Sequence, residues 1–191
     1  MAGVSLVVVF ADMAIVWFLS SDVLKSGVLL GLVVLLYLFF QRYLKFLKEF
    51  FVATLYTMGI LLPALAGTDA VVLPIHYLVF GKFFITALMN LLLFSLFDYE
   101  EDRHHQQHSF VTWFGPRSTR NGIFILGLLN ILSGLWLWDF DAGVARVFIS
   151  MNLLLLAVLI MRKKLHMNNY YRMLGDAVFF IPGFYPFLAH S

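Results

Sequence analysis

A chain of 191 residues suffices for one domain with its own core. It is 62% apolar and 13% charged, against roughly 45–50% and about 25% in soluble proteins, which excludes a water-soluble globule and points to an integral membrane protein. The net charge of +2 is too small, and its basic residues too dispersed, for nucleic-acid binding, while the absence of cysteine excludes disulfides, thiolate metal sites and cysteine nucleophiles.

The apolar runs approach the ~20 residues that a helical crossing needs, and none alternates as a barrel strand would. In chain order the candidate spans are Gly3 to Ser20, Ser26 to Phe40, Phe50 to Ala66, Val72 to Phe97, Gly122 to Trp138, Val144 to Met161 and Tyr170 to Ala189. The expectation is one all-α domain over residues 1–191, a polytopic bundle of about seven transmembrane helices. No repeat or long linker divides it. Without a basic leader, and with Asp12 interrupting the first apolar stretch, no cleaved signal peptide is expected.

Seven spans make the polar connections alternate sides. Arg42, Lys45, Lys48, Arg103, Arg117, Arg120, Arg162, Lys163, Lys164 and Arg172 then share one side, ten of the thirteen basic residues. Lys25 and Arg146 fall on the other, and Lys82 lies within a span. The positive-inside rule makes the first side cytoplasmic, and the expected location is the cell (inner) membrane. Trp136 and Trp138 mark the opposite interface as an aromatic belt.

Ionisable residues inside spans are expensive and call for partners. Asp12, midway along the first span, is read as a structural pair or as the mark of an ill-ordered terminal span rather than as a catalytic group. Lys82 precedes Asp98 by sixteen residues, about 24 Å along a helix, and is expected to snorkel outward. Asp176 is expected to pair with Arg172, one turn earlier. Asn90, two turns below Asp98, either points into a cavity toward substrate or makes a helix–helix hydrogen bond.

Polar chemistry concentrates in Asn90 to Gly115, where Asp98, Glu100, Glu101 and Asp102 are followed by His104, His105 and His108. If the helix continues past Phe97, Asp98, Glu101, Asp102 and His105 share one side. Carboxylates this close repel one another unless water or a cation offsets them, and oxygen-only ligands in pairs suit Mg²⁺ bridging to substrate phosphates. The simpler reading is a solvated acidic cap outside a membrane helix. Zinc on His104 and His108 would lack a third ligand. Lys45 and Lys48 either contact lipid headgroups or reach an anionic substrate.

The segment DYEEDR, with Phe94, Ser95, His108, Ser109 and Gly115 around it, resembles the second aspartate-rich motif of the UbiA-type intramembrane prenyltransferases. Asp98, Asp102 and Arg103 stand at the motif's acidic and arginine positions, and Gly115 at its following glycine. His108 and Ser109 replace a common Lys-Thr, and Phe94 and Ser95 the usual Asn-Asp. The stretches LKFLKEFFVATLYTMGILLP and YRMLGDAVFFIP look similar to family segments too. The match runs from about Tyr37 onward, the C-terminal part of a longer family fold. The first aspartate-rich motif is absent, since Asp12, Asp22, Glu49 and Asp69 are isolated.

The resemblance implies transfer of a prenyl group from a prenyl diphosphate to an aromatic or other lipid-soluble acceptor. Mg²⁺ would sit on Asp98, Asp102 and Glu101, with Asp98 and Asp102 catalytic and Lys45, Lys48, Arg103 and Asn90 toward substrate. A missing first motif implies a truncated chain, a split enzyme with a complementary half or oligomeric partner, or a member without catalysis. The alternative is a non-catalytic membrane protein that keeps the helical fold to bind lipid or a partner. A transporter using Asp12, Lys82 and Asp176 is a third reading, without the paired broken helices that would support it.

Overall fold

The computed structural model describes residues 17–66, 74–165 and 170–189, and every element among them is helical. Helix α1 (Ser21–Leu44) starts at Ser20, whose hydroxyl accepts the Val23 N–H at 3.4 Å. At 24 residues it exceeds the expected span at both ends, so it is about 36 Å long and not short for a crossing. None of its most apolar window is buried, which suits contact with lipid. A single 3₁₀ turn at Lys45–Leu47, with Lys45 at φ 47°, reverses the chain into helix α2 (Lys48–Ala66).

Helix α3 (Pro74–Phe97) is the centre of the bundle, packed against α2 and the two helices that follow. Its sequence is apolar on nearly every side, the pattern of a helix that other helices surround. Met89, Leu93, Leu96 and Phe97 are buried in one hydrophobic cluster with Ile123, Met151 and Leu155. A short helix α4 (Tyr99–His104) leads to α5 (Phe110–Leu137), whose axis is broken at Gly115 (φ 82°, ψ 156°), with Pro116 opening the longer part. This helix begins well before Gly122, because the polar run from Pro116 to Asn121 separates its first turn from the apolar stretch. Helix α6 (Ala142–Ile160) is capped by Asp141, which accepts the Val144 N–H at 2.9 Å.

After α7 (Arg162–Leu165), the last apolar stretch departs from expectation. It forms α8 (Tyr170–Ala177), a 3₁₀ segment (Val178–Phe184) and α9 (Tyr185–Ala189) instead of one helix. Pro182 has no N–H to continue the ladder, and Gly183 follows it. The stretch still reaches both ends of the bundle. Arg172 pairs with Asp98 beyond the end of α3, and the Tyr185 hydroxyl donates to Asp141 at 3.1 Å at the opposite end.

Among the described residues five helices are long and apolar enough to cross a membrane: Ser21–Gln41, Lys45–Ala66, Pro74–Phe97, Phe110–Leu137 and Ala142–Ile160. Over the described residues the protein is thus an all-helical membrane protein by composition and length. The first expected span falls almost wholly outside the described residues, as does Asp12.

Lys82 corrects a second expectation. It does not snorkel: the residue is 2% exposed, and Nζ donates to the Asn130 carbonyl (2.7 Å), Asn130 Oδ1 (3.1 Å) and Ser133 Oγ (2.8 Å). The Asn130 amide donates onward to Thr86 Oγ1 (3.1 Å) and Asn152 Oδ1 (3.2 Å), and the Asn152 amide to the Phe148 carbonyl (2.7 Å). Helices α5 and α6 cover this face of α3, so the ammonium meets polar groups from neighbouring helices before it could reach water.

Candidate functional site

At the acidic end, the backbone of α3 passes into α4 with one bend at Asp98, whose N–H donates to the Phe94 carbonyl at 2.9 Å. The Asp102 N–H donates in turn to the Asp98 carbonyl at 2.8 Å. Glu100, Glu101 and Asp102 occupy the first turn of α4, where the helix dipole favours anions. The Leu96 carbonyl, left open at the end of α3, accepts from Arg162 Nη2 at 2.7 Å.

Three helices line an open cleft of about 310 Å³ at this end. Tyr37 and Gln41 come from α1, Lys48, Glu49 and Val52 from α2, and Leu91 and Ser95 from α3, with Asp98 and Asp102 closing it. Thus Lys48, Asp98 and Asp102, three of the residues expected from sequence, share one space.

Asp98 is held from the last segment. Tyr171 donates its hydroxyl to Oδ1, and Arg172 Nη2 donates to Oδ2 at 2.9 Å. Tyr171 itself stacks on Phe97 with ring centroids 4.2 Å apart.

The other expected residues lie elsewhere. Glu101 is exposed and does not line the cleft. Lys45 sits over the Trp113 ring at 5.6 Å, and Arg103 borders a separate shallow hollow with Gln107, His108 and Trp113. His104, His105 and His108 are exposed, and α4 ends at His104, so the i, i+4 pairing proposed for zinc is not made. Arg172 pairs with Asp98, not with Asp176 as the spacing suggested. Asn90 lines a deeper cavity of about 100 Å³ with Tyr56, Phe94, Asp176 and Phe179, which shares Val52 and Leu91 with the cleft.

Glu49 is the residue sequence reasoning passed over. It is 5% exposed, and Oε1 accepts the Phe110 N–H at 2.9 Å, anchoring the start of α5, while Oε2 has no hydrogen-bond partner. One signal was present: Glu49, Ala53 and Thr57 recur every fourth residue along α2, and these are its buried positions.

A three-ligand cage for Mg²⁺ is not formed, because among the described residues no three Asp, Glu or His groups lie close enough to hold one ion. Besides Glu49, whose Oε1 is taken by the Phe110 N–H, the cleft carries Asp98 and Asp102, a pair that fits the other habit of Mg²⁺, in which phosphate oxygens and waters complete the shell. Compared with known proteins, the chain matches no family model, no curated protein and no solved structure.

Proposed function

We propose that the chain is the part of a UbiA-like membrane prenyltransferase that carries the second acidic motif, acting on a prenyl diphosphate and a lipid-soluble acceptor. One observation carries this reading: Lys48 from α2, Asp98 from the bend after α3 and Asp102 from α4 line a single cleft. Asp98 and Asp102 would hold Mg²⁺, which when bound offsets the diphosphate's charge and makes it a better leaving group. Lys48 supplies a point charge for phosphate, the role lysine commonly takes. Tyr171 and Arg172 position Asp98. Tyr56, Phe94 and Phe179 present aromatic faces below the cleft, suited to a cationic allylic carbon. In this reading the acidic end faces the cytoplasm, and the last segment together with Gly3 to Ser20 brings the five described crossings to about seven.

The purified chain in lipid nanodiscs, titrated with geranylgeranyl diphosphate with and without Mg²⁺, tests this. Mg²⁺-dependent binding is expected, weakened at least about tenfold in Asp102→Asn, since hydrogen bonds and ion contacts to charged groups are worth ~1.5–3 kcal/mol. Binding that ignores both Mg²⁺ and the substitution overturns it.

A second reading draws on Asp98, both of whose oxygens are already engaged by Tyr171 and Arg172. On it, the protein keeps the fold without catalysis and seats a lipid headgroup against Lys48. Mg²⁺-independent binding of anionic lipid, lost in Lys48→Ala, would favour it.

A further inference from the structure

Helices α5 and α6 leave an open hollow of about 510 Å³ between them that shares no residue with the cleft. Arg120, Asn121, Phe124 and Ile125 line it from α5, and Leu159 and Ile160 from the last turn of α6. The lining is divided by depth. Arg120 and Asn121 close the polar run of α5, whereas the four apolar residues belong to the stretches of both helices that are fit to cross a membrane. The hollow therefore stands where a bilayer passes from headgroups to hydrocarbon.

Charge and exposure define the occupant. Arg120 is exposed and forms no ion pair among the described residues. Its charge repels Arg162, which begins the next helix and is drawn in turn by Glu100, so an anion beside Arg120 meets two guanidinium groups. Below them Phe124, Ile125 and Ile160 are 51%, 56% and 76% exposed, apolar faces from which a water-soluble anion gains nothing. A guanidinium grips phosphate through two parallel N–H donors, and the Asn121 amide offers another one residue further along α5. The volume is more than three times the ~150 Å³ that admits benzene, so the upper part of an acyl chain fits beneath the phosphate. A second copy of the chain suits the hollow less well. Two-fold contact presents the same patch from both sides, arginine toward arginine.

We infer that this hollow binds one anionic phospholipid, its phosphate on Arg120 and Asn121 and an acyl chain along Phe124, Ile125 and Ile160. The lipid clasps α5 to α6 from outside and takes no part in the chemistry proposed at the cleft. A zwitterionic lipid binds less tightly, because its ammonium group is repelled by Arg120 and Arg162.

The chain has no cysteine, so Leu128→Cys, one turn along α5 from Phe124 and 47% exposed, carries a single fluorescent label for the test. The full chain in phosphatidylcholine vesicles is titrated with doxyl-labelled phosphatidylglycerol or with doxyl-labelled phosphatidylcholine of the same chain length. The anionic lipid is expected to reach half-maximal quenching at a mole fraction about fivefold lower, the worth of one basic residue beside an anionic headgroup. Arg120→Gln, at an exposed position that the fold does not depend on, should bring the two lipids together. Arg117→Gln, also exposed but outside the hollow, should leave the preference in place. Equal quenching by both lipids, or a preference that survives Arg120→Gln and disappears in Lys48→Ala, overturns the inference. So does displacement of the lipid by glycerol 3-phosphate, which would make this a site for free phosphate. Disulfide cross-linking of unlabelled Leu128→Cys chains, without quenching by either lipid, would give the hollow to a second copy and equally overturn it.

Discussion

Lys82→Met is expected to lower the free energy of unfolding by about 2–4 kcal/mol, measured by SDS titration in mixed micelles. Three hydrogen bonds from Nζ are lost, to two oxygens of Asn130 and to Ser133, and membrane hydrogen bonds average ~0.6 kcal/mol with a maximum of ~1.7. Methionine nearly matches the volume of lysine, so no cavity opens, and the loss reports the abandoned acceptors. An opposing effect acts at a different stage. Removing a charged residue makes insertion of α3 easier by up to about 2.5–3.5 kcal/mol, yet unfolding in detergent starts and ends with inserted helices and does not register it. Asn130→Ala should destabilise comparably, and the two together by much less than their sum, because they break one network. An unchanged midpoint in Lys82→Met would mean the ammonium is a passenger.

Gly115→Ala is expected to destabilise the bundle by about 1–3 kcal/mol, the range for holding a non-glycine residue in a backbone region open essentially to glycine alone. At φ 82° and ψ 156° the strain belongs to the main chain, since nothing lies within 4 Å of the added Cβ. Gly122→Ala is the control. That glycine is helical and equally open, and alanine there should be neutral or stabilising by up to about 1 kcal/mol. Equal effects at the two positions would remove the backbone explanation.

How much of this was legible in the chain follows from what each signal reports. Hydropathy reports burial in apolar surroundings, so the helices α1, α2, α3, α5 and α6 were visible, with their ends misjudged where polar residues extend them. The division of Tyr170 to Ala189 was signalled by Pro182 and Gly183, but hydropathy averaging passed over them. The acidic stretch disclosed Asp98 and Asp102 because charge is rare here. It could not reveal that Glu101, one residue before Asp102, turns to solvent, since the bend at Asp98 resets the helical phase. Lys82 was misread because its partners sit some fifty residues away in sequence, and spacing arguments see only neighbours on one helix. The same blindness assigned Arg172 to Asp176, a turn away, instead of Asp98.

That pairing bears on how the protein is made. Arg172 follows Asp98 by 74 residues, and at ribosomal speeds of ~5–20 residues per second it arrives about 4–15 s later. Throughout that delay the carboxylate emerges without its guanidinium, and the wall that α8 contributes to the deeper cavity does not yet exist. The site is therefore completed only when the tail of the nascent chain docks, and a ribosome stalled before Tyr170 would leave the membrane holding well-inserted helices with the Lys82 network in place and the acidic end unfinished.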